Sequence, residues 1–424
     1  MTQIFATRHV PTTDKDISSP AFWSRSFEAR DETFAWLRQN APVSWHPPLE
    51  DEGLPPEVHK EAGFWAVTRY ADIQFASQHQ DLFSSALGGT QIRPRDPAMS
   101  FSASFLEMDP PEHTRYRQVM SAAFTPKAVA RLNDKIAERA KRIVGNVVGA
   151  GDIDFVVDVS AKLPMLTIAD MVGVPESLVE TFAQAGDHAV SLRDDAVRPD
   201  GVSPVEFFME QARIVREIGV DIVNFRRTHP ADDIATALAN AEFDGQRVTD
   251  DQIMSVMLLL AVAGNDTTKQ TTSLTVLELD RNPDQRAWLV DDFDGRIAGA
   301  VEEFVRHATP VIEFARTATE DVELGGQQIK KWDKVGLFYC SGNRDESVFE
   351  QPHRFDLRRS RKAHVGFGGG GVHFCLGNGV AKAQLRSLFA EILTQLPNLE
   401  ITGEPQYLPS EFIHGIQHLP ARTN

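Results

Sequence analysis

The sequence predicts a mainly α-helical protein with a minor β portion, on three observations. Helical patterning runs from Asp109 to about His307, opened by Asp109-Pro-Pro-Glu112, an acceptor at the cap position with proline and then glutamate behind it. Short runs of β-branched and aromatic residues between turn signals, such as GFWAVTRY before residue 105 and DVELGGQQI and KVGLFYC beyond Thr317, read as strands. A second helix start, Thr249-Asp-Asp-Gln252, opens the segment QIMSVMLLLAVAGNDTTKQTT, long and apolar enough to cross a protein core.

Taken in order, these signals divide the chain into a β-rich portion at about 40–105 and 315–340, an α-rich body at about 109–310, and a glycine loop with a last helix at about 364–396. The loop Arg193 to Pro204, RDDAVRPDGVSP, interrupts the body where a lid would hinge. No repeat period or low-complexity tract appears. At 424 residues and 42% hydrophobic, the chain buries a large core, and length alone suggests two or three domains.

Charge and cysteine content narrow the function. A formal net charge of -17 disfavours nucleic acid and anionic membranes as partners. Two distant cysteines exclude a disulfide scaffold and a zinc ribbon, and they suit a reducing compartment. The first residues lack an apolar core, and the stretch Ile253 to Ala263 is too short for a membrane span, so a cytoplasmic protein without a span is expected.

Chemistry concentrates around GFGGGGVHFCLG, Gly366 to Gly377. Gly366, Gly368 and Gly371 spell a nucleotide-binding G-x-G-x-x-G, but the upstream RFDLRRSRKAH is basic and not a buried strand, so the required context fails. The alternative is a loop built around Cys375. In the long apolar helix, Gly264 costs about 1 kcal/mol relative to alanine, and Asp266 requires partners if it is buried. Thr267 is placed to bond the carbonyl of Ala263 and open a groove; a plain helix bend is the competing reading. Glu303 and Arg306 share a helix face, as a surface ion pair or a buried brace. His113, Arg117, Arg316 and His373 are either solvated cations or donors that converge on paired carboxylates.

In their order and spacing, MDPPEHTRYR, AGNDTT, EEFVR, RTA, SGNRDESVF and FGGGGVHFCLG resemble the soluble bacterial cytochrome P450 family from about residue 20 to the C-terminus. The resemblance implies one cytochrome P450 domain over residues 1–424, with haem b between the long central helix and the cysteine loop. It makes Cys375 the metal ligand, Asp266 and Thr267 the acid–alcohol pair at the dioxygen groove, and His113, Arg117, Arg316 and His373 the propionate contacts. Phe367, Ala263 and Gly264 then also touch the haem, and Glu303, Arg306 and Arg344 form a structural brace. Phe367 stands eight residues before the cysteine, where the family's aromatic usually stands seven before, so the loop carries an extra glycine. Cys340 lacks any such setting and reads as structural.

The implied function is hydroxylation of a hydrophobic small molecule with dioxygen and electrons from a ferredoxin and its reductase, since the chain has no flavin or iron–sulfur segment. Pocket positions carried over are Phe101, Phe105, Leu260, Ala263, Val311, Ile312 and Phe412, nearly all apolar, which favours a terpenoid or steroid-like lipid. Alkane, fatty-acid and aromatic hydroxylases are the alternatives within the class. A haem-binding sensor or carrier has no need of Asp266 and Thr267, and a peroxygenase-like enzyme would bypass the redox partner.

Overall fold

The computed structural model describes residues 12–50, 62–94, 105–190, 198–243, 245–360 and 363–424. Its axis is a 32-residue helix, Asp250–Arg281, which starts where the sequence places it. Thr249 and Gln252 close a reciprocal capping box there. The two ends of this helix serve different cores. Ile253, Val256, Met257, Leu258 and Ala261 pack among helices Lys162–Val172, Glu176–Val190 and Pro204–Arg226, whereas Leu274, Val276, Leu277 and Leu279 pack with Phe293–Ala308 and Asn378–Gln395. Between them the buried residues turn polar: Asn265, Thr268, Lys269, Gln270, Thr271, Thr272 and Ser273. A polar middle in a core helix costs stability unless every group finds a partner.

The strands gather into a five-stranded sheet in the order Val43–His46, Phe64–Val67, Lys334–Phe338, Glu313–Ala318, Phe83–Ser84. Lys334–Phe338 runs parallel to Phe64–Val67 and antiparallel to Glu313–Ala318, with Val335 opposite both Trp65 and Arg316. Strands from both β-rich stretches of the sequence thus share one sheet, although the helical body separates them in the chain, and Val322–Leu324 with Gln327–Ile329 forms a hairpin of its own. That body is not purely helical: Gly151–Asp154 pairs with the C-terminal strand Pro420–Thr423. In the same way, helix Tyr70–Gln78 lies within the early β-rich stretch.

Two sequence expectations change. Asp109 does not cap a helix: helix Glu112–Ser121 begins after a cis Pro110–Pro111 bond, with no side-chain cap. The Asp109 carboxylate instead accepts from Ser85 N–H at 2.8 Å and from the Ser84 hydroxyl, tying the helix start to the sheet edge. Of the loop at Arg193 to Pro204, residues 193–197 lie outside the described residues; its end is Ser203, which with Glu206 forms the capping box of Pro204–Arg226. No described helix is long and apolar enough to cross a membrane.

Candidate active site

The glycine loop follows turns and no strand, which removes the nucleotide-loop reading. Gly368, Gly370 and Gly371 adopt φ of +95, +98 and +73, a region L side chains rarely occupy. The glycines serve a neighbour other than the sulfur: a Cβ on Gly369 would lie 2.4 Å from Ser77 Oγ and one on Gly371 2.2 Å from Ser77 O. The loop is therefore bedded on the end of helix Tyr70–Gln78, where Gln78 also donates to Gly369 O at 3.1 Å. Two later residues serve Cys375. Burial raises its thiol pKa, while the N–H groups of Gly377 and Asn378 and the cations Arg117 and Lys382 favour the thiolate. Its own N–H donates to Phe367 O at 3.0 Å, which spans the extra glycine. At Cys340 burial, then Asp31, outweighs the cations Arg30, Arg344 and Arg38 and pushes the thiol up to about 12.

Beside the loop, four donors come together from three elements. His113 and His373 have ring centroids 4.2 Å apart, and Arg117 donates to Phe374 O at 2.5 Å. Both ring nitrogens of His113 and Nε2 of His373 are buried without a partner. Burial, then the positive charge of Arg316, His113 and Arg117, brings the His373 pKa down to about 2. Among the described residues no carboxylate pairs with any of the four. A folded chain leaves such a set unsatisfied only where something else supplies the acceptors.

Across from the loop, the Thr267 hydroxyl donates to Ala263 O at 2.8 Å. The helix continues through this point without a break, so the expected opening of its ladder is confined to that one bond. Thr267 begins a row: Thr271, Thr272 and Ser273 bond the carbonyls of Thr267, Thr268 and Lys269 in the same way. Those three are buried, whereas Thr267 and Gly264 are partly accessible and Val262 and Ala263 are exposed mid-helix. Asp266 has the partner its burial requires. Lys269 Nζ lies 2.6 Å from Asp266 and 3.5 Å from Asp187, and Asn265 donates to Asp187 at 2.6 Å. Burial pulls the lysine pKa down, but the two carboxylates outweigh it and the net shift is upward. The Asp266–Lys269 spacing was visible in the sequence; Asp187, on another helix, was not.

Glu303 and Arg306 form a bidentate pair at 2.7 and 2.8 Å, 4% and 1% exposed. Arg306 also donates to the carbonyls of Asn343, Pro352 and Arg354. Arg344 meets the pair through the main chain, donating to Arg306 O and His307 O at the helix end. The second cation on Glu303 is Arg359, at 3.2 Å, from the basic segment whose role sequence reasoning missed.

The carried-over pocket positions separate. Leu260 and Ala263 lie on the central helix, Phe105 has its ring 6.2 Å from that of His113, and Val311 bridges to Ile413 beside Phe412. Phe412 meets Phe314 at 5.4 Å. Ile312 is no lining residue: it is 1% exposed and packs in the core with Phe34 and Phe338. Phe101 lies outside the described residues.

The profile of the cytochrome P450 family matches residues 209–398. A methyl-branched lipid omega-hydroxylase of Mycobacterium bovis is 40% identical over 415 residues, 97% of this chain and 95% of that protein. The chain belongs to the cytochrome P450 family. A steroid C26-monooxygenase of Mycolicibacterium smegmatis is 36% identical over 91% of this chain and 89% of its own. Among solved structures, a Mycobacterium marinum cytochrome P450 in complex with pseudoionone is 46% identical with a TM-score of 0.92, covering 99% of this chain and 100% of that one. This chain is accordingly a haem-thiolate monooxygenase with haem b as cofactor. The residues fit that group: unsatisfied buried donors suit two propionates, a supported thiol suits iron, and accessible mid-helix surface suits an apolar ring.

Proposed function

We propose that this cytochrome P450 hydroxylates an apolar, methyl-branched small molecule of terpenoid or steroid-like type in the cytoplasm, taking electrons from a ferredoxin and its reductase. The observation that carries the assignment of residues is the unpartnered ring nitrogens of His113 and His373, gathered with the cations Arg117 and Arg316 and no paired carboxylate, beside the supported sulfur of Cys375. On this reading Cys375 ligates the iron and the four donors hold the propionates. Phe367 backs the sulfur through its carbonyl, and Ala263 and Gly264 leave the mid-helix face free for the ring. Glu303 with Arg306 locks the strands and turns around the loop, and Arg344 secures the end of the same helix.

A thiolate-ligated haem supplies reductive activation of dioxygen and delivery of one oxygen atom to a C–H bond. The chain's own part is positioning and proton supply. Thr267, fixed to Ala263 O, presents its hydroxyl oxygen to a water on the accessible helix face, and Asp266 is the titratable group next to it. Leu260, Ala263, Val311, Phe105 and Phe412 select by shape in an apolar pocket. For the substrate class, the support is the relatives: methyl-branched lipid, steroid and pseudoionone share an apolar, branched carbon skeleton.

The test is spectral. Reduced protein under carbon monoxide gives the strongly red-shifted Soret band of a thiolate complex, Cys375→Ala loses it, and Cys340→Ala keeps it. Retention of the band in Cys375→Ala would overturn the ligand assignment. Screening terpenoids, steroids and alkanes for displacement of the sixth-ligand water, read in the Soret band, tests the substrate class.

A further inference from the structure

Lys382, one of the two cations that favour the Cys375 thiolate, belongs to a cluster next to the cysteine loop. Lys382, on helix Asn378–Gln395, places Nζ 5.1 Å from the centroid of the Phe367 ring. The same ammonium lies 2.9 Å from Glu302 Oε1. Glu302 Oε2 in turn lies 3.1 Å from His364 Nε2. His364 Nδ1 accepts the N–H of Gly366 at 3.1 Å, so Nε2 carries the proton and donates to Glu302. The hydrogen bond from His364, then that from Lys382, holds the Glu302 carboxyl down to about 2, so it stays ionised. One end of the cluster is thus the helix carrying Glu303, and the other is the ring whose carbonyl accepts from Cys375 N–H.

Phe367 is also the residue that the extra glycine displaces by one position; its half-buried ring packs against the core, with Lys382, held by Glu302, over its face. We propose that Lys382, braced by Glu302 and His364, is a positioning residue for Phe367 and through it sets the electron donation of Cys375. The inference rests on Cys375 being the iron ligand. A cation held over an aromatic face next to the thiolate draws electron density away from the sulfur, which favours the ferrous state.

The experiment measures the ferric/ferrous reduction potential of purified holoprotein without any redox partner, so that a docking role for Lys382 does not register. Lys382→Met keeps the length of the side chain and removes the charge; it is expected to shift the reduction equilibrium about threefold toward ferric, roughly 30 mV lower at 59 mV per decade. Arg386→Met, on the outer face of the same helix, is expected to leave it unchanged. In a Phe367→Leu background, Lys382→Met should add little. An unchanged potential in Lys382→Met, or the full shift persisting without the ring, overturns the proposal. The red-shifted carbon monoxide band, recorded on every variant, reports failure of the ligand assignment separately.

Discussion

Two clusters of charge in this molecule differ in one respect. Glu303, Arg306 and Arg359 close on themselves: the carboxylate takes both arginines, and the remaining guanidinium donors find backbone carbonyls. His113, Arg117, Arg316 and His373 stay open, with histidine nitrogens buried and unpartnered and no carboxylate among the described residues. Charge that is satisfied by the chain is structure; charge that the chain assembles and leaves unsatisfied is a place for a ligand.

The comparison breaks first at Glu303. Removing one partner of a closed, buried network leaves the others uncompensated, so Glu303→Ala should lose about 3–5 kcal/mol of stability and yield little holoprotein. Denaturant unfolding of the apoprotein checks this; normal stability would show the brace to be dispensable. The open cluster should answer with the opposite sign. Arg316→Met removes a buried cation that lacks an acid, so the apoprotein should be at least as stable as the parent. Its haem should dissociate about tenfold to a hundredfold faster, the loss of one charge-assisted hydrogen bond of roughly 1.5–3 kcal/mol. Haem transfer to apomyoglobin measures that rate.

These two clusters were unequally legible in the sequence. Glu303 and Arg306 sit three residues apart on one helix, and such spacing is readable. Arg359 reaches them across 56 residues with no periodic signal. The four donors were named individually, but only the fold shows that no carboxylate among the described residues pairs with them and that the imidazole nitrogens of His113 and Nε2 of His373 are left without a partner. The fold class and the central helix were readable because capping boxes and apolar runs are local. The packing of the loop glycines was not legible for the same reason: Gly369 and Gly371 lie against Ser77, nearly 300 residues earlier. Ile312 looked like its neighbours in composition, and only its burial removes it from the pocket.

A smaller effect sharpens the comparison at the edge of the closed region. Glu302 has its pKa lowered from 4.5 to about 2 by His364 and Lys382. A depressed carboxylate contributes stability that is complete above its unfolded value and disappears as pH falls through the folded one. The stability difference between the parent and Glu302→Gln should therefore be constant above about pH 5 and shrink steadily toward pH 2. A difference that grows on acidification would place the proton elsewhere.

The smallest structural change carries the finest test. Thr267 makes the same back-bond to the helix as Thr271, Thr272 and Ser273, so its contribution to folding should match theirs, within about 1 kcal/mol. It differs from them in access alone: they are buried among core side chains, whereas its hydroxyl borders the exposed Val262 and Ala263 face. Replacement by alanine should leave stability, haem content and the carbon monoxide band nearly unchanged. What it removes is the oxygen that orders a proton-donating water, so reductant consumption should continue while reduced oxygen leaves as peroxide and product falls. Asp266→Asn should act differently, because Asp266 also holds the buried ammonium of Lys269. It should slow turnover as a whole and, by leaving that cation with Asp187 alone, destabilise the helix as Thr267→Ala does not. The decisive quantity is product formed per reductant consumed, in both variants, with a reconstituted ferredoxin system. An unchanged ratio in Thr267→Ala would make its hydroxyl one more structural back-bond in the row and would assign the proton supply to another group.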